Sequence, residues 1–310
     1  MSALDFSTKI GSKRFSNPIF TASGCASSGQ ELSQFFPLTE LGAVVTKSIM
    51  TKARTGRGTP RMAETPSGML NSIGLQGPGI DTFLENDIPW LIENNAKIVV
   101  SIAGETVEEY GVLARRLRAV SGISAVEVNI SCPNVENRGQ VFSCHPDTST
   151  AVIESVRRNI GGELPIIAKL SPDVTDIVAI ATAVIDAGVD GLALINTLLG
   201  MVIDTNSMKP KLAGKTGGLS GPAIRPVAVR AIYQVHQVFP NIPIVGMGGV
   251  ATGRDAFELV LAGASAVSIG TASFRNPSAA IQVKNELADL LTQKGFNDFR
   301  DAIGFAHRSV

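Results

Sequence analysis

The chain has 310 residues, 44% of them hydrophobic and 17% charged, which excludes a disordered protein and suffices for the core of one α/β barrel or two smaller domains. Lysine plus arginine equals aspartate plus glutamate at 27 each, so no basic excess argues for nucleic acid or an anionic membrane. Three cysteines make neither a disulfide framework nor a four-thiolate cluster, and no basic stretch followed by an apolar core opens the chain, so a cytoplasmic protein without a signal peptide is expected.

In chain order, strands are predicted at Pro18–Ala22, Ala43–Ser48, Ile98–Ile102, Ala125–Ile130, Pro165–Leu170, Gly191–Asn196, Ile242–Gly246 and Ala266–Ile269. Each is short, apolar and rich in Val or Ile, as strands of a fully covered parallel sheet are. Helical periodicity lies between most of them, over Val107–Val120, Asp176–Ala187 and Arg254–Ala262, the last two closed by Gly188 and Gly263. The first unit is the weakest, because Pro37 interrupts Glu31–Leu41. The most apolar long segment, Ile177–Ile195, is broken by Asp186 and Asp190 and reads as helix, turn and strand, not as a membrane span. Eight strand–helix units with no break for a second domain predict a single-domain TIM (β/α)8 barrel over residues 1–310. Met50–Gly79 and Leu198–Pro222 are too long for simple connections and follow strand ends, where extended active-site loops grow.

The strand ends carry the chemistry. Ala125–Ile130 delivers Asn129-Ile-Ser-Cys-Pro-Asn134, which puts the Cys132 thiol at the mouth of a strand that Pro133 stops. Lys47 and Lys169 stand within apolar runs and are costly to bury without an anionic partner. The other ends are Ala22-Ser-Gly24, Thr46-Lys-Ser48, Ile195-Asn-Thr197, Gly246-Met-Gly-Gly249 and Ile269-Gly-Thr271. Two lysines, several amides and a thiol at one rim mark a pocket. His145, His236 and His307 lie away from the strand ends, so no histidine offers itself as a base there. Gly246–Ala251 is a poor Rossmann fingerprint, since no acidic residue closes a second strand beyond it. It suits the phosphate site that barrels build from the loops after the seventh and eighth strands.

Together these stretches resemble the class 1 dihydroorotate dehydrogenases, and among them the NAD-linked B subclass. The matching segments are Ala22-Ser-Gly-Cys25, Asn71-Ser-Ile-Gly-Leu75, Asn129-Ile-Ser-Cys-Pro-Asn134, Lys169-Leu-Ser-Pro172, Ile195-Asn-Thr197, Gly217-Gly-Leu-Ser-Gly-Pro-Ala223, Gly246-Met-Gly-Gly249 and Gly270-Thr271, in the family's order from Pro18 to about Pro277. The resemblance implies an FMN-containing barrel that oxidises dihydroorotate to orotate with Cys132 as base. It implies a flavin held by Ser23, Lys47, Ser48, Ser101, Asn129, Lys169 and Ile195, with the phosphate end at Gly221, Gly248, Gly249, Gly270 and Thr271. Substrate is expected at Lys47, Asn71, Ser72, Ile73, Gly74, Leu75, Asn129, Asn196 and Thr197. Two positions depart from the family pattern: Ser101 stands where Asn is usual, and Asp173 where Asn is expected.

The B subclass further implies a homodimer joined to electron-transfer subunits that carry FAD and a 2Fe–2S centre, a heterotetramer delivering electrons to NAD. This chain lacks a dinucleotide unit and the thiolates for a cluster. No metal, nucleic acid or membrane is expected. The alternatives are a fumarate-linked A-subclass enzyme, a dihydropyrimidine dehydrogenase-like flavin barrel, and a non-catalytic phosphate-binding barrel.

Overall fold

The computed structural model describes residues 4–131 and 145–309. Eight short parallel strands form one sheet: β1 (Ile19–Thr21), β2 (Val44–Val45), β3 (Ile98–Ile102), β4 (Ile123–Asn129), β5 (Ile166–Lys169), β6 (Gly191–Leu194), β7 (Ile244–Met247) and β8 (Ala266–Ile269). β8 pairs with β1, and an isolated parallel bridge between Phe20 and Ala43 joins β1 to β2, which closes the sheet into a barrel. All eight strands overlap the predicted segments. Every one of their residues is buried, in keeping with their mostly apolar sequences.

The helices sit outside. Val107–Arg118 starts at Thr106, whose side chain accepts from the Glu109 amide, and carries Glu108 and Glu109 in its first turn and three arginines in its last. Asp176 caps Ile177–Asp186 by accepting from Val178 N and Ala179 N. Thr252 and Asp255 form a reciprocal capping box at Gly253–Ala262. Two connections differ from a simple helix. Pro37 splits Glu31–Leu41 into 3-10 turns at Leu32–Gln34 and Leu38–Glu40. The helix spanning 80–93 passes through a π turn at Phe83–Asp87 just before Pro89, which lacks the N–H an α-turn needs there.

Two further pieces complete the frame. The hairpin Thr8–Ile10/Lys13–Phe15 places Ile10 and Phe15 in the same apolar cluster as Phe20, Val45, Val99, Ala125, Ile167 and Val245, so it plugs the lower end of the barrel. At the opposite end, where the strands finish, the two long excursions meet. Leu198–Met201, Thr216–Ser220, Gly68–Asn71 and Met62–Thr65 pair in that order as one antiparallel sheet. Close approach dictates the glycines here, since a Cβ at Gly218 would collide with the Thr197 side chain. Among the described residues no helix is long and apolar enough to cross a membrane.

Candidate active site

Side chains alternate along a strand, so positions two apart enter the barrel together. Val99, Ala125 and Ile167 belong to the interior apolar cluster. Two residues further along the same strands stand Ser101, Glu127 and Lys169, which turns the interior from apolar to polar toward the strand ends. Lys169 and Glu127 are 4% and 2% exposed, and their charged groups lie 3.5 Å apart as an ion pair. Glu127 is the anionic partner that a lysine within an apolar run requires.

From this pair a chain of hydrogen bonds runs across the mouth. The Ser101 hydroxyl donates to Glu127 Oε1 at 2.9 Å and meets the Ser48 hydroxyl at 2.9 Å. Ser48 in turn meets Ser23 Oγ at 3.2 Å and accepts from Asn129 Nδ2 at 3.0 Å. Asn129 Oδ1 accepts from the Ser131 amide at 3.3 Å and its hydroxyl at 3.0 Å. Asn196 Nδ2 donates to the Ser131 carbonyl at 3.1 Å and hydroxyl at 2.8 Å, while its Oδ1 accepts from Thr197 N at 2.9 Å. The Tyr110 hydroxyl, anchored on the helix outside, donates to the Asn129 carbonyl at 2.8 Å. Ser23, Ser48, Ser101, Asn129, Lys169, Asn196 and Thr197 thus belong to one connected network. Cys132 lies outside the described residues, but Ser131, the residue before it, is a member.

Ser101, the expected flavin contact that departs from the family pattern, is fully buried, with its hydroxyl between Ser48 and Glu127.

Lys47 enters from just beyond β2. Its Nζ is 3.7 Å from where a Cβ of Gly24 would stand. Cys25 lies close enough to both lysines for their charges to act on it. Burial pushes its thiol up, and the fields of Lys169 and Lys47 pull the other way. Cys25 therefore belongs to the mouth, although its neighbourhood could not be read locally.

The far side is built of close backbone approaches. Gly248 and Gly249 have φ of 128° and 76°, and a Cβ on Gly249 would fall 2.9 Å from the Gly221 carbonyl and 2.7 Å from Arg225 Cβ. Ile195 Cγ1 would be 3.5 Å from a Cβ of Gly248. The Thr271 hydroxyl donates to Ser220 Oγ at 2.7 Å, which ties the eighth strand's end to the second excursion beside Gly270 and Gly221. Arg225 is held by Asp255 and, at 2.9 Å, by Glu258, so its charge is balanced by protein carboxylates.

The first excursion carries the remaining predicted residues over the mouth. Asn71 Nδ2 donates to Gly218 O at 3.4 Å, which places it in the same sheet as the strand against which Thr197 packs. Ser72 Oγ accepts from Arg57 Nη1 at 2.9 Å, and Gly74 and Leu75 both turn with positive φ. Ile73 holds this loop by accepting from the Arg57 amide at 3.0 Å.

Residues 5–291 match the family model for dihydroorotate dehydrogenase. The chain belongs to the dihydroorotate dehydrogenase family. It is 50% identical over 293 residues to a protein of Desulforudis audaxviator called dihydroorotate dehydrogenase B (NAD(+)), catalytic subunit, with 94% of each chain covered. A protein of the same name from Desulforamulus reducens is 48% identical over 304 residues, covering 98% of this chain and 99% of its own. Another, from Anoxybacillus flavithermus, is 47% identical over 288 residues, covering 93% and 91%.

For this dihydroorotate dehydrogenase family member, three mouth residues went unselected in the sequence reading: Glu127, Ser131 and Arg57. Glu127 had a signal, a charge inside the alternating run Ala125-Val-Glu-Val-Asn129, of the kind that singled out Lys169. Ser131 sat inside the Asn129–Asn134 motif itself. Arg57 had none, being one of several basic residues in a long loop.

Proposed function

We propose that this chain is the catalytic subunit of a cytoplasmic, FMN-dependent dihydroorotate dehydrogenase of the NAD-linked B kind, acting in pyrimidine biosynthesis. In this reading it forms a homodimer and joins partner subunits, bearing FAD and a 2Fe–2S centre, in a heterotetramer. The observation that carries it is the connected polar network from the buried Lys169–Glu127 pair to Asn196, which includes the residue before Cys132. Such a network supplies fixed donors and acceptors at both the redox end and the substrate end of one pocket.

The residues suit FMN. A glycine cradle that admits no Cβ lies at Gly248, Gly249 and Gly221, and two lysines stand across the mouth. Backbone amides of Gly221, Gly248, Gly249 and Gly270, with the Thr271 hydroxyl, would take the phosphate. Ser23, Ser48, Asn129 and Ile195 would flank the ring, and Lys169 would present a cation to its N1–O2 edge. When bound, FMN supplies the acceptor for the hydride leaving C6 of dihydroorotate.

The chain's own residues do the rest. Cys132 takes the proton from C5, a step for which the thiolate is the competent form. Lys47 meets the substrate carboxylate. Amides of Asn71, Asn129 and Asn196 match the donors and acceptors of the pyrimidine ring. Residues Ser72, Ile73, Gly74, Leu75 and Thr197, which adjoin the strands of the excursion sheet, would close the pocket. Electrons leave to a separate subunit, in keeping with the catalytic-subunit names of the relatives.

The isolated chain tests the assignment. With dihydroorotate it is expected to reduce artificial dyes but neither NAD nor fumarate. Brisk fumarate reduction sinks the B assignment in favour of the A subclass, and preference for dihydrouracil over dihydroorotate sinks the substrate.

A further inference from the structure

A buried ion pair is weak as a device for stability, because apolar side chains of similar volume commonly serve as well. Glu127 is 2% exposed, so it offers almost no surface to a ligand. What it touches is Lys169, at 3.5 Å, and Ser101, which donates to it at 2.9 Å. The same Oε1 atom takes both contacts, so the hydroxyl and the ammonium share the negative charge of one oxygen. Ser101 in turn is tied to Ser48 and through it to the network that crosses the mouth.

We infer that Glu127 is a positioning residue that sets the charge Lys169 presents to the flavin, with Ser101 trimming its hold, so that the flavin's potential stays low enough to pass electrons onward. The inference rests on the FMN reading above. A full cation beside a reduced flavin would favour that form and retain its electrons. A carboxylate 3.5 Å from the ammonium offsets part of that charge, and the low-dielectric surroundings keep the offset strong. The arrangement suits a subunit whose task is to hand electrons to another carrier. The Ser101 hydroxyl places a donor on the carboxylate itself. No bond is made or broken by either residue.

The test is the midpoint potential of bound FMN, measured by equilibration with a reference dye in the purified chain and its variants. Glu127→Gln removes the offsetting charge and keeps the shape. It is expected to raise the preference for reduced over oxidised FMN about tenfold, a shift of about 30 mV upward for a two-electron couple. Ser101→Ala leaves both charges in place and frees the carboxylate to bind Lys169 more tightly, so its shift is expected downward and smaller. A purely structural role for the pair would not move the two potentials in opposite directions. An unchanged or lowered potential in FMN-loaded Glu127→Gln overturns the inference. Should that variant fail to fold, Ser101→Ala decides, and an unchanged or raised potential there overturns it equally. A wild-type chain that takes up no FMN overturns the flavin reading and this inference with it. A wild type that binds FMN at the same potential as both variants overturns the inference alone.

Discussion

The lower and upper halves of the barrel interior are lined by the same strands and differ in one respect. Below, Val99, Ala125 and Ile167 pack with Phe20, Val45 and the plugging hairpin residues Ile10 and Phe15. Above, two positions and about 7 Å further along those strands, stand Ser101, Glu127 and Lys169. The lower half is stabilised by burial of apolar surface, about 1.5–3 kcal/mol for each large side chain. In the upper half Lys169, Glu127, Ser101, Ser48 and Asn129 are each tied to a polar partner, and what they gain is orientation. Substitutions below should therefore alter stability and leave chemistry alone, whereas substitutions above should alter chemistry, with a cost in stability only where they break the buried Lys169–Glu127 pair.

The largest expected effect is on the proposed base. Cys132→Ala should keep FMN and slow its reduction by dihydroorotate about 10²–10⁴-fold at neutral pH, measured by stopped-flow absorbance. Cys132→Ser should retain a little activity that grows at high pH. Cys25→Ala should stay close to wild type, since burial holds that thiol protonated and unfit as a base. A near-normal rate in Cys132→Ala would place the base elsewhere.

Next comes the lower layer. Ile167→Ala should cost about 2–5 kcal/mol in chemical denaturation, through lost burial and the cavity left behind, with the FMN dissociation constant unmoved. If that variant lost FMN at unchanged stability, the division between the two halves would collapse. Lys47→Ala should act the other way. Losing a charged contact worth about 1.5–3 kcal/mol would raise the dihydroorotate KM about 10–100-fold in steady-state assays, with the unfolding midpoint little changed.

The smallest effect belongs to a polar group buried away from the mouth. His236 is wedged against Gly263 and Gly304, and its Nδ1 has no partner among the described residues. Burial, and then the charge of His307, holds its imidazole below the usual value. The folded state keeps it neutral, whereas the unfolded chain takes a proton near pH 6.5. Stability is thus full above about pH 6.5 and falls as pH drops through the lower folded value. His236→Gln should flatten that dependence in thermal unfolding at pH values on either side, without touching dihydroorotate oxidation.

Much of this was legible in the sequence because it is local. Short Val- and Ile-rich runs marked all eight strands, and Gly188 and Gly263 marked helix ends through their own capping chemistry. What was hidden depends on contacts distant in sequence. The excursion sheet pairs Gly68–Asn71 with Thr216–Ser220, and nothing in either stretch names the other. Lys169 announced that it needed an anion, but only the register Glu127↔Ile167 and Asn129↔Lys169 between neighbouring strands identifies Glu127 as that anion. Ser101 stands out in the sequence as a departure, but its partners Ser48 and Glu127 come from other strand units and only the fold brings them to it.

The most direct test of the account is an anaerobic titration of the purified chain with dihydroorotate, following flavin absorbance and orotate formation together. The account predicts a yellow protein whose absorbance bleaches as orotate appears in equal amount. A colourless chain that takes up no FMN, or bound FMN that dihydroorotate leaves unbleached, would contradict it.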